Sequence, residues 1–378
     1  MTIIYLVALF FLLLICILAA ALLLAVWRQL KKWFLSGRTS ARFASLRLER
    51  LIENPILRPG AASWQHEAVM NPAAIKLDGG TYLLYRAIGA DGVSRLGLAT
   101  SDDGKTFKNL PFPIYNPSRP SHDGAEKKRY SPVLYPSGGS WGGYEDPRIV
   151  EIDERLYMTM NVFDGWDYIR VAVVSISKKD FLKKNFSAWS PPTILSKPGQ
   201  RHKNWVLFPE KINGKFALLH SISPKIEIAY LDTLEGVPND EGYVASWEGP
   251  RSSIAVREAY WDNYVRSAGP PPVKTGKGWL LFYHANDMRD PGKYKLGAML
   301  LDLDDPTRIR YRSIIPVLEP LMDYENEGKP GVVYACGATI ENDTLTVYYG
   351  GADKVICAAS APLSSFLTAL TQPEHAIL

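Results

Sequence analysis

The stretch Gly276-Lys-Gly-Trp-Leu-Leu-Phe-Tyr-His284 shows the pattern that decides the fold, because a glycine-rich turn opens directly into a run of aromatic and aliphatic residues. The same pattern recurs four times elsewhere, at residues 78–86 (DGGTYLLYR), 153–161 (DERLYMTMN), 213–220 (NGKFALLH) and 342–350 (NDTLTVYYG). Turn residues followed by β-branched and aromatic residues are typical of β-hairpins. The chain is therefore predicted to be all-β.

Each of these five runs is flanked by two further short strands. The preceding strands are predicted at residues 71–77, 146–152, 207–212, 270–274 and 333–340, and the following ones at 95–100, 169–175, 226–231, 295–302 and 354–359. Because three strands recur five times at spacings of about 60 to 75 residues, we predict a five-bladed β-propeller over residues 53–378. An unrepeated sandwich or barrel with accidental periodicity is the alternative.

A propeller would distribute its functional site along the whole chain. Its blades are arranged radially, so the same strand position of every blade faces one central funnel. Acids and bases stand at equivalent places in the repeats, namely Arg86, Lys203, His220, His284 and Asp353. One such residue alone is usually structural, but several at matching positions indicate a shared site.

Glu145-Asp-Pro-Arg148 is the most compact candidate motif. Two acids and an arginine flank a proline at the entry to a strand, and proline suits an edge or funnel position because it cannot donate to the sheet. A carboxylate beside a buried arginine serves as acid, base or ligand anchor, or simply closes a local salt bridge. Gly138-Gly-Ser-Trp-Gly142 matches the nucleophile elbow of esterases in letters alone, because no helix follows it.

Residues 3–27 contain no charged side chain. As a helix rising ~1.5 Å per residue they would reach ~38 Å, enough to cross a hydrocarbon core of ~30 Å. A signal peptide, the competing interpretation, needs a basic start and a shorter apolar run. We therefore predict a transmembrane anchor at residues 1–27, which contacts the lipid bilayer through residues 3–27.

A basic segment follows the apolar one. Six Lys or Arg residues and no acid occur between residues 28 and 48, which predicts a juxtamembrane stem over residues 28–52. By the positive-inside rule this predicts a single-pass membrane protein with its propeller on the cytoplasmic side. The rest of the chain holds 37 basic and 39 acidic residues, so nucleic-acid binding loses its compositional support.

The cysteines and histidines exclude two further classes of site. The chain has three cysteines, Cys16, Cys336 and Cys357, and no C-x-x-C pair, so neither a disulfide scaffold nor a zinc site is expected. His66-Glu67 lacks the second histidine of a zinc-protease motif. We predict no metal and no organic cofactor.

Seven blocks of sequence occur in a familiar order. They are Asn54-Pro-Ile-Leu-Arg-Pro, Asn71-Pro, Tyr85-Arg86, Gly143-Tyr-Glu-Asp-Pro-Arg148, Leu207-Phe-Pro-Glu-Lys-Ile-Asn-Gly-Lys215, Gly278-Trp-Leu-Leu-Phe-Tyr-His284 and Tyr348-Tyr-Gly-Gly-Ala-Asp353. Together they resemble glycoside hydrolase family 130, which contains β-mannoside phosphorylases and some β-mannosidases. The resemblance covers about residues 53–360. It implies a five-bladed propeller that cleaves β-linked mannosides with inversion, like a β-1,4-mannoside phosphorylase.

The resemblance also implies roles for individual residues. The catalytic acid falls on Asp146, which in this family is thought to protonate the leaving oxygen through the mannose 3-hydroxyl. The sugar-binding positions are Asn71, Arg86, Arg95, Glu145, His284 and Asp353. The phosphate-binding positions are Arg148, Lys203 and His220, and inorganic phosphate would be the co-substrate.

Two places depart from the phosphorylase pattern. Ser221 stands where a basic residue usually follows the histidine, and Asn204-Trp205 follows Lys203 in place of Asp and a small residue. Phosphorolysis is therefore only slightly preferred over hydrolysis by an inverting β-mannosidase. A catalytically weak propeller that binds a glycan or a partner protein at the membrane is the alternative to a membrane-anchored enzyme.

Overall fold

The computed structural model describes residues 46–117, 128–164, 168–235, 257 and 259–377. These residues contain twenty β-strands and two short α-helices, which confirms the all-β prediction. The strands are β1 (Glu49–Arg50), β2 (Ala68–Leu77), β3 (Gly80–Ile88), β4 (Val93–Ser101), β5 (Lys108–Asn109), β6 (Gly142–Ile152), β7 (Arg155–Asp164), β8 (Ile169–Ser177), β9 (Thr193–Ile194), β10 (Val206–Leu207), β11 (Phe216–Ser221), β12 (Glu227–Leu231), β13 (Tyr264–Ala268), β14 (Val273–Thr275), β15 (Gly278–Asp287), β16 (Asp290–Leu301), β17 (Ile309–Arg312), β18 (Val333–Glu341), β19 (Thr344–Gly351) and β20 (Val355–Pro362). The helices are α1 (Lys178–Leu182) and α2 (Leu363–Leu370), and 3-10 turns lie at Ser63–Gln65, Phe186–Ala188, Asp323–Glu325 and Pro373–His375.

The five aromatic runs become the strands β3, β7, β11, β15 and β19, each paired with neighbours on both sides. Four of the five turns before them hold two consecutive residues in the left-handed region, for example Asn213 (φ 53°) and Gly214 (φ 78°). Two-residue hairpin turns need this conformation because it matches the twist of the flanking strands. Asn, Asp and Gly adopt it at little cost, so these turns were predictable from sequence.

The described strands form four sheets. The smaller ones have the orders β1-β20-β19-β18, β10-β11-β12, and β13-β15-β16-β17 with β14 on β15. The largest has eight strands in the order β2-β3-β4-β6-β7-β8-β9, with β5 on β4. Sheets of four, three, five and eight strands replace the five equal units that the repeat predicted.

The prediction of a five-bladed propeller is therefore wrong, because no sheet of the described residues closes into a propeller or barrel. A parallel pairing of Val93 and Ser94 in β4 with Gly142 and Gly143 in β6 joins the first two three-stranded units into the largest sheet. Gly143 (φ 110°) permits this approach, since a Cβ there would collide with Ser94. The repeat in the sequence specifies hairpins, but not which strands meet at their edges.

In each of three hairpins, a buried tyrosine hydroxyl donates a hydrogen bond to a side-chain oxygen. Tyr85, Tyr283 and Tyr349 donate hydrogen bonds to side chains of Gln65, Asp262 and Glu325, at 2.8, 2.6 and 2.8 Å. All three tyrosines are fully buried, so the acceptors satisfy hydroxyls that water cannot reach. These rings therefore belong to the core and are not available to stack on a sugar.

Residues Arg47–Leu378 form one compact unit. Within it, Glu49 and Arg50 of β1 pair with Ser360 and Ala359 of β20, so the end of the predicted stem is part of a sheet. The strands β2, β6 and β18, which are the first strands of three of the five sequence repeats, contact one another. Their meeting point is where the candidate site lies.

Within the described ranges, no helix is both long enough and apolar enough to cross a bilayer. On that finding, the prediction of a single-pass membrane protein with a cytoplasmic propeller is withdrawn. The predicted anchor at residues 3–27 and most of the predicted stem lie outside the described residues.

Candidate active site

Five of the predicted site residues line one cavity of about 320 Å³ between β2, β6 and β18. They are Asn71, Arg86, Asp146, Lys203 and Asp353. Among the described residues, the cavity wall also carries the cations Arg201, Arg266 and Lys329, and its only carboxylates are Asp146 and Asp353. The cavity is therefore strongly cationic and suits an anionic ligand.

β-Bulges aim two of these side chains into the cavity. The pairing of β2 with β3 skips Asn71, and the pairing of β6 with β7 skips Asp146. Both residues are left-handed, with φ 51°, and both precede a proline. A bulge re-aims a side chain and often lies beside an active site, and non-glycine residues in this backbone region cluster at functional sites.

Asp146 presents one carboxylate oxygen to the cavity. Its Oδ1 accepts hydrogen bonds from Asn71 Nδ2 at 2.7 Å and from Arg86 Nη1 at 3.4 Å. Its Oδ2 has no hydrogen-bond partner among the described residues, although the residue is only 5 % exposed. This oxygen is placed to meet a ligand.

The charges around Asp146 decide its protonation in the absence of a ligand. Burial opposes ionisation, but three nearby cations outweigh that penalty and hold the pKa of Asp146 below its ordinary value. Those cations are Arg86, Arg148 and Lys203. Without a bound ligand, Asp146 is therefore a carboxylate, and a general acid at this position must first gain a proton.

Glu145 lies behind the cavity wall and fixes two of its cations. Its carboxylate accepts from Arg86 Nη2 and from Lys203 Nζ, both at 2.8 Å, and from Ser137 Oγ at 3.0 Å. The side chain is fully buried and does not line the cavity. The structure thus places Glu145 as a positioning residue, where the sequence predicted a sugar contact.

Arg148 is buried beneath the same wall. Its Nη1 donates to the backbone oxygen of Asp146 at 2.7 Å and to Asn204 Oδ1 at 3.0 Å. Its Nη2 is buried and makes no hydrogen bond within the described part of the chain. The guanidinium lies 5.9 Å from the ring of Tyr334, which lines the cavity.

The sequence of residues 49–372 matches the family described as beta-1,4-mannooligosaccharide phosphorylase. The chain belongs to glycoside hydrolase family 130. The resemblance found from the sequence blocks is thereby confirmed, and it spans all four sheets described above.

Curated relatives of this family 130 protein cover most of its length. It is 37 % identical over 326 residues to a 1,2-beta-oligomannan phosphorylase from Thermoanaerobacter sp. (strain X514), a match covering 83 % of this chain and 97 % of the relative. A beta-1,2-mannobiose phosphorylase of the same organism is 34 % identical, with 83 % and 96 % covered. The family 130 protein is thus an enzyme of the glycoside phosphorylase kind. The comparisons support neither a purely binding role nor a membrane anchor.

Solved structures share the fold. The beta-1,2-mannobiose phosphorylase from Listeria innocua, in complex with beta-1,2-mannobiose, matches with a TM-score of 0.63 at 24 % identity, covering 85 % of this chain and 99 % of that one. A putative glycoside hydrolase from Parabacteroides distasonis matches with a TM-score of 0.64, at 24 % identity and with 83 % and 96 % covered. At this identity the likeness shows the fold alone.

His284, predicted to bind sugar, is instead buried in the family 130 fold. Its Nε2 accepts from the backbone N–H of Ala335 at 2.9 Å, so that nitrogen carries no proton. Its Nδ1 lies 3.2 Å from Ser267 Oγ, and its ring stacks on Tyr334 at 4.0 Å. Burial and the charge of Arg148 lower the pKa of His284 to about 3, so the ring is neutral. His284 thus supports Ser267 and Tyr334, which both line the cavity.

Two other predicted residues also lie off the central cavity. Arg95 binds Asp91 through two hydrogen bonds, at 2.6 and 3.1 Å, on the third strand of its hairpin unit. His220 lines a neighbouring cavity of about 650 Å³, together with Ser221. Ser221, which stands where phosphorylases usually have a basic residue, therefore lines the neighbouring cavity and not the central one.

Two residues of the cavity wall, Asn204 and Ser137, were not among the predicted site residues. Asn204 is left-handed (φ 65°), and its side chain joins Arg148 to Asn161 through hydrogen bonds of 3.0 and 3.1 Å. Ser137, whose backbone oxygen accepts from Arg86 at 2.7 Å, comes from a loop. Such loop residues belong to no periodic sequence pattern. The local signal for Ser137 was the Gly-rich stretch that follows it, residues 138–142. In the described ranges, no three His, Cys, Asp or Glu side chains group as a metal site would require.

Proposed function

We propose that this enzyme is a β-mannoside phosphorylase that uses inorganic phosphate with inversion. The observation that carries the proposal is the pairing of one ligand-facing carboxylate, Asp146, with fixed cations in the same cavity. An inverting hydrolase needs a second carboxylate to activate water. The other carboxylate on the described wall, Asp353, is engaged by Lys329 at 3.3 Å. The names of the curated relatives support the same reaction class.

In the proposed reaction, phosphate occupies the side of the cavity formed by Lys203 and Asn204, with Arg148 beneath. Charge-assisted bonds to an oxyanion are strong, and the unpartnered Nη2 of Arg148 is a donor that such an anion would satisfy. A mannosyl unit occupies the opposite side, near Asn71 and Asp353. The linkage, β-1,2 or β-1,4, is set by contacts beyond this unit.

The proposed phosphorolysis is a single displacement at the anomeric carbon. A phosphate oxygen attacks the anomeric carbon while the bond from that carbon to the glycosidic oxygen breaks. The leaving oxygen takes the proton that Asp146 supplies, and the products are α-mannose 1-phosphate and the shortened saccharide. The cations offset the charge of phosphate and hold it in line.

Phosphate binding should also prepare Asp146 for its role. Two of the three cations that lower the pKa of Asp146, namely Arg148 and Lys203, are those that a phosphate dianion would neutralise. The bound dianion should therefore raise the pKa of Asp146, and proton uptake should accompany phosphate binding in mildly acidic buffer. Calorimetry in two buffers of different ionisation enthalpy measures this uptake. Equal uptake by the wild type and by Asp146→Asn would contradict the coupling.

Lys203→Met tests the phosphate site. Lys203 Nζ is positioned by Glu145 and Ser137 and lines the cavity, so we expect its loss to raise the KM for phosphate about tenfold or more. The matched control is Lys211→Met, an exposed lysine that pairs with Asp153. Initial rates at varied phosphate provide the measurement, and an unchanged KM for phosphate in Lys203→Met would refute the assignment.

A further inference from the structure

A second cavity, of about 650 Å³, adjoins the central cavity on the side where phosphate is proposed to bind. Its wall is formed by the loop 197–205, the end of β11 with the residues after it, and β13. The two cavities share five wall residues, namely Arg201, Lys203, Asn204, Arg266 and Ser267. A phosphate ion beside Lys203 and Asn204 is therefore accessible from both cavities.

The wall of the second cavity is cationic. Its described residues include no Asp or Glu, and four of them are Lys or Arg, namely Lys197, Arg201, Lys203 and Arg266. Lys203 is paired with Glu145, whereas in the described part of the chain no carboxylate pairs with Lys197 or Arg266. His220 adds no charge at neutral pH, because burial lowers its pKa. Like charges gathered in a concave wall raise the local concentration of anions.

The central cavity is a poorer route for phosphate once a saccharide is bound. Its wall carries the carboxylates of Asp146 and Asp353, which repel a phosphate dianion. In an inverting displacement the nucleophile and the leaving sugar lie on opposite faces of the mannosyl ring. The bound saccharide therefore separates the position beside Lys203 from the rest of the central cavity. The second cavity opens on the nucleophile's face and stays accessible.

We propose that inorganic phosphate reaches its position through the second cavity while the saccharide occupies the central one. The inference rests on the proposed function and adds the path of the co-substrate to the same site. Lys197 lines the second cavity alone, Arg266 lines both cavities, and Lys203 marks the phosphate position. The charges that attract phosphate thus continue from one cavity into the other. The volume is that of a small-molecule site and admits a hydrated phosphate ion.

Lys197→Glu tests this path without altering either substrate position, because Lys197 is exposed and does not line the central cavity. We expect kcat/KM for phosphate, measured at saturating mannobiose, to fall about threefold or more at low ionic strength. The loss should shrink in about 0.5 M salt, which screens exposed charges. The KM for mannobiose at saturating phosphate should not change. Lys105→Glu, at an exposed lysine that lines neither cavity, is the matched control.

Inositol hexakisphosphate provides a second probe of the path. This polyanion is too large for the position of a single phosphate ion, but the second cavity has room for it. We expect it to inhibit competitively against phosphate and to do so equally at low and at saturating mannobiose. Lys197→Glu should weaken this inhibition, and Lys105→Glu should not.

The failures of the inference and of the proposed function are distinguishable. If the wild type forms mannose 1-phosphate but Lys197→Glu keeps its kcat/KM for phosphate at low ionic strength, the inference is overturned and the proposed function stands. Inhibition by inositol hexakisphosphate that mannobiose relieves would also overturn it, because the polyanion would then enter by the central cavity. Absence of mannose 1-phosphate from every mannobiose tested refutes the proposed function, and the inference falls with it.

Discussion

Asp146→Asn should lower kcat by roughly 10²–10⁴-fold, because general-acid catalysis contributes about that much. The amide has the shape of the carboxyl group, and its oxygen can still accept from Asn71. It has no acidic proton for the leaving oxygen. The measurement is the rate of mannose 1-phosphate release from mannobiose at saturating phosphate, together with a thermal melt that checks the fold.

A substrate with a good leaving group separates this role from a structural one. A nitrophenyl β-mannoside needs little protonation, so Asp146→Asn should cleave it much closer to the wild-type rate. Loss of both activities in equal measure would show that Asp146 positions the substrate and does not supply the proton. Near-normal release of mannose 1-phosphate from mannobiose would exclude Asp146 as the acid.

Glu145→Gln should destabilise the protein and weaken phosphate binding together. The carboxylate is fully buried and binds Arg86, whose side chain is 3 % exposed, so its loss leaves this buried cation only the longer contact to Asp146, at 3.4 Å, as a counter-charge. Breaking such a pair costs about 3–5 kcal/mol. Lys203 loses the same partner, so the KM for phosphate should also rise. Urea unfolding and initial-rate kinetics measure the two effects.

Glu210→Gln is the matched control for Glu145→Gln. Glu210 pairs with Lys274 at 2.6 Å, but both side chains are about half exposed, so the change should cost less than about 1 kcal/mol. A similarly small cost for Glu145→Gln together with an unchanged KM for phosphate would contradict the positioning role. A similarly small cost with a raised KM would limit that role to positioning Lys203.

The local part of the fold was predictable from sequence. Paired turn residues such as Asn213-Gly214 specify hairpins through their own backbone preferences, so the strands could be placed without tertiary information. The edge pairing of Ser94 with Gly143 depends on contacts between distant segments, and no local pattern reports it. The predicted propeller failed at this step, where strands had to be assigned to sheets.

The candidate site, like the fold, was predictable from the sequence only in part. The resemblance located Asp146, and the bulge before Pro147 explains why that side chain reaches the cavity. Glu145, one residue earlier, is turned away from the cavity towards Arg86 and Lys203. His284, another predicted sugar contact, also lies off the cavity. It stands at the end of an aromatic run, but β15 is buried along its whole length.

The most direct test of phosphorolysis is the identity of the product. The full chain is incubated with β-1,2- and β-1,4-mannobiose, with and without inorganic phosphate, and the products are followed by phosphorus and proton NMR. We expect α-mannose 1-phosphate to appear only when phosphate is present. Free mannose released at the same rate with and without phosphate would contradict it and identify the enzyme as a hydrolase.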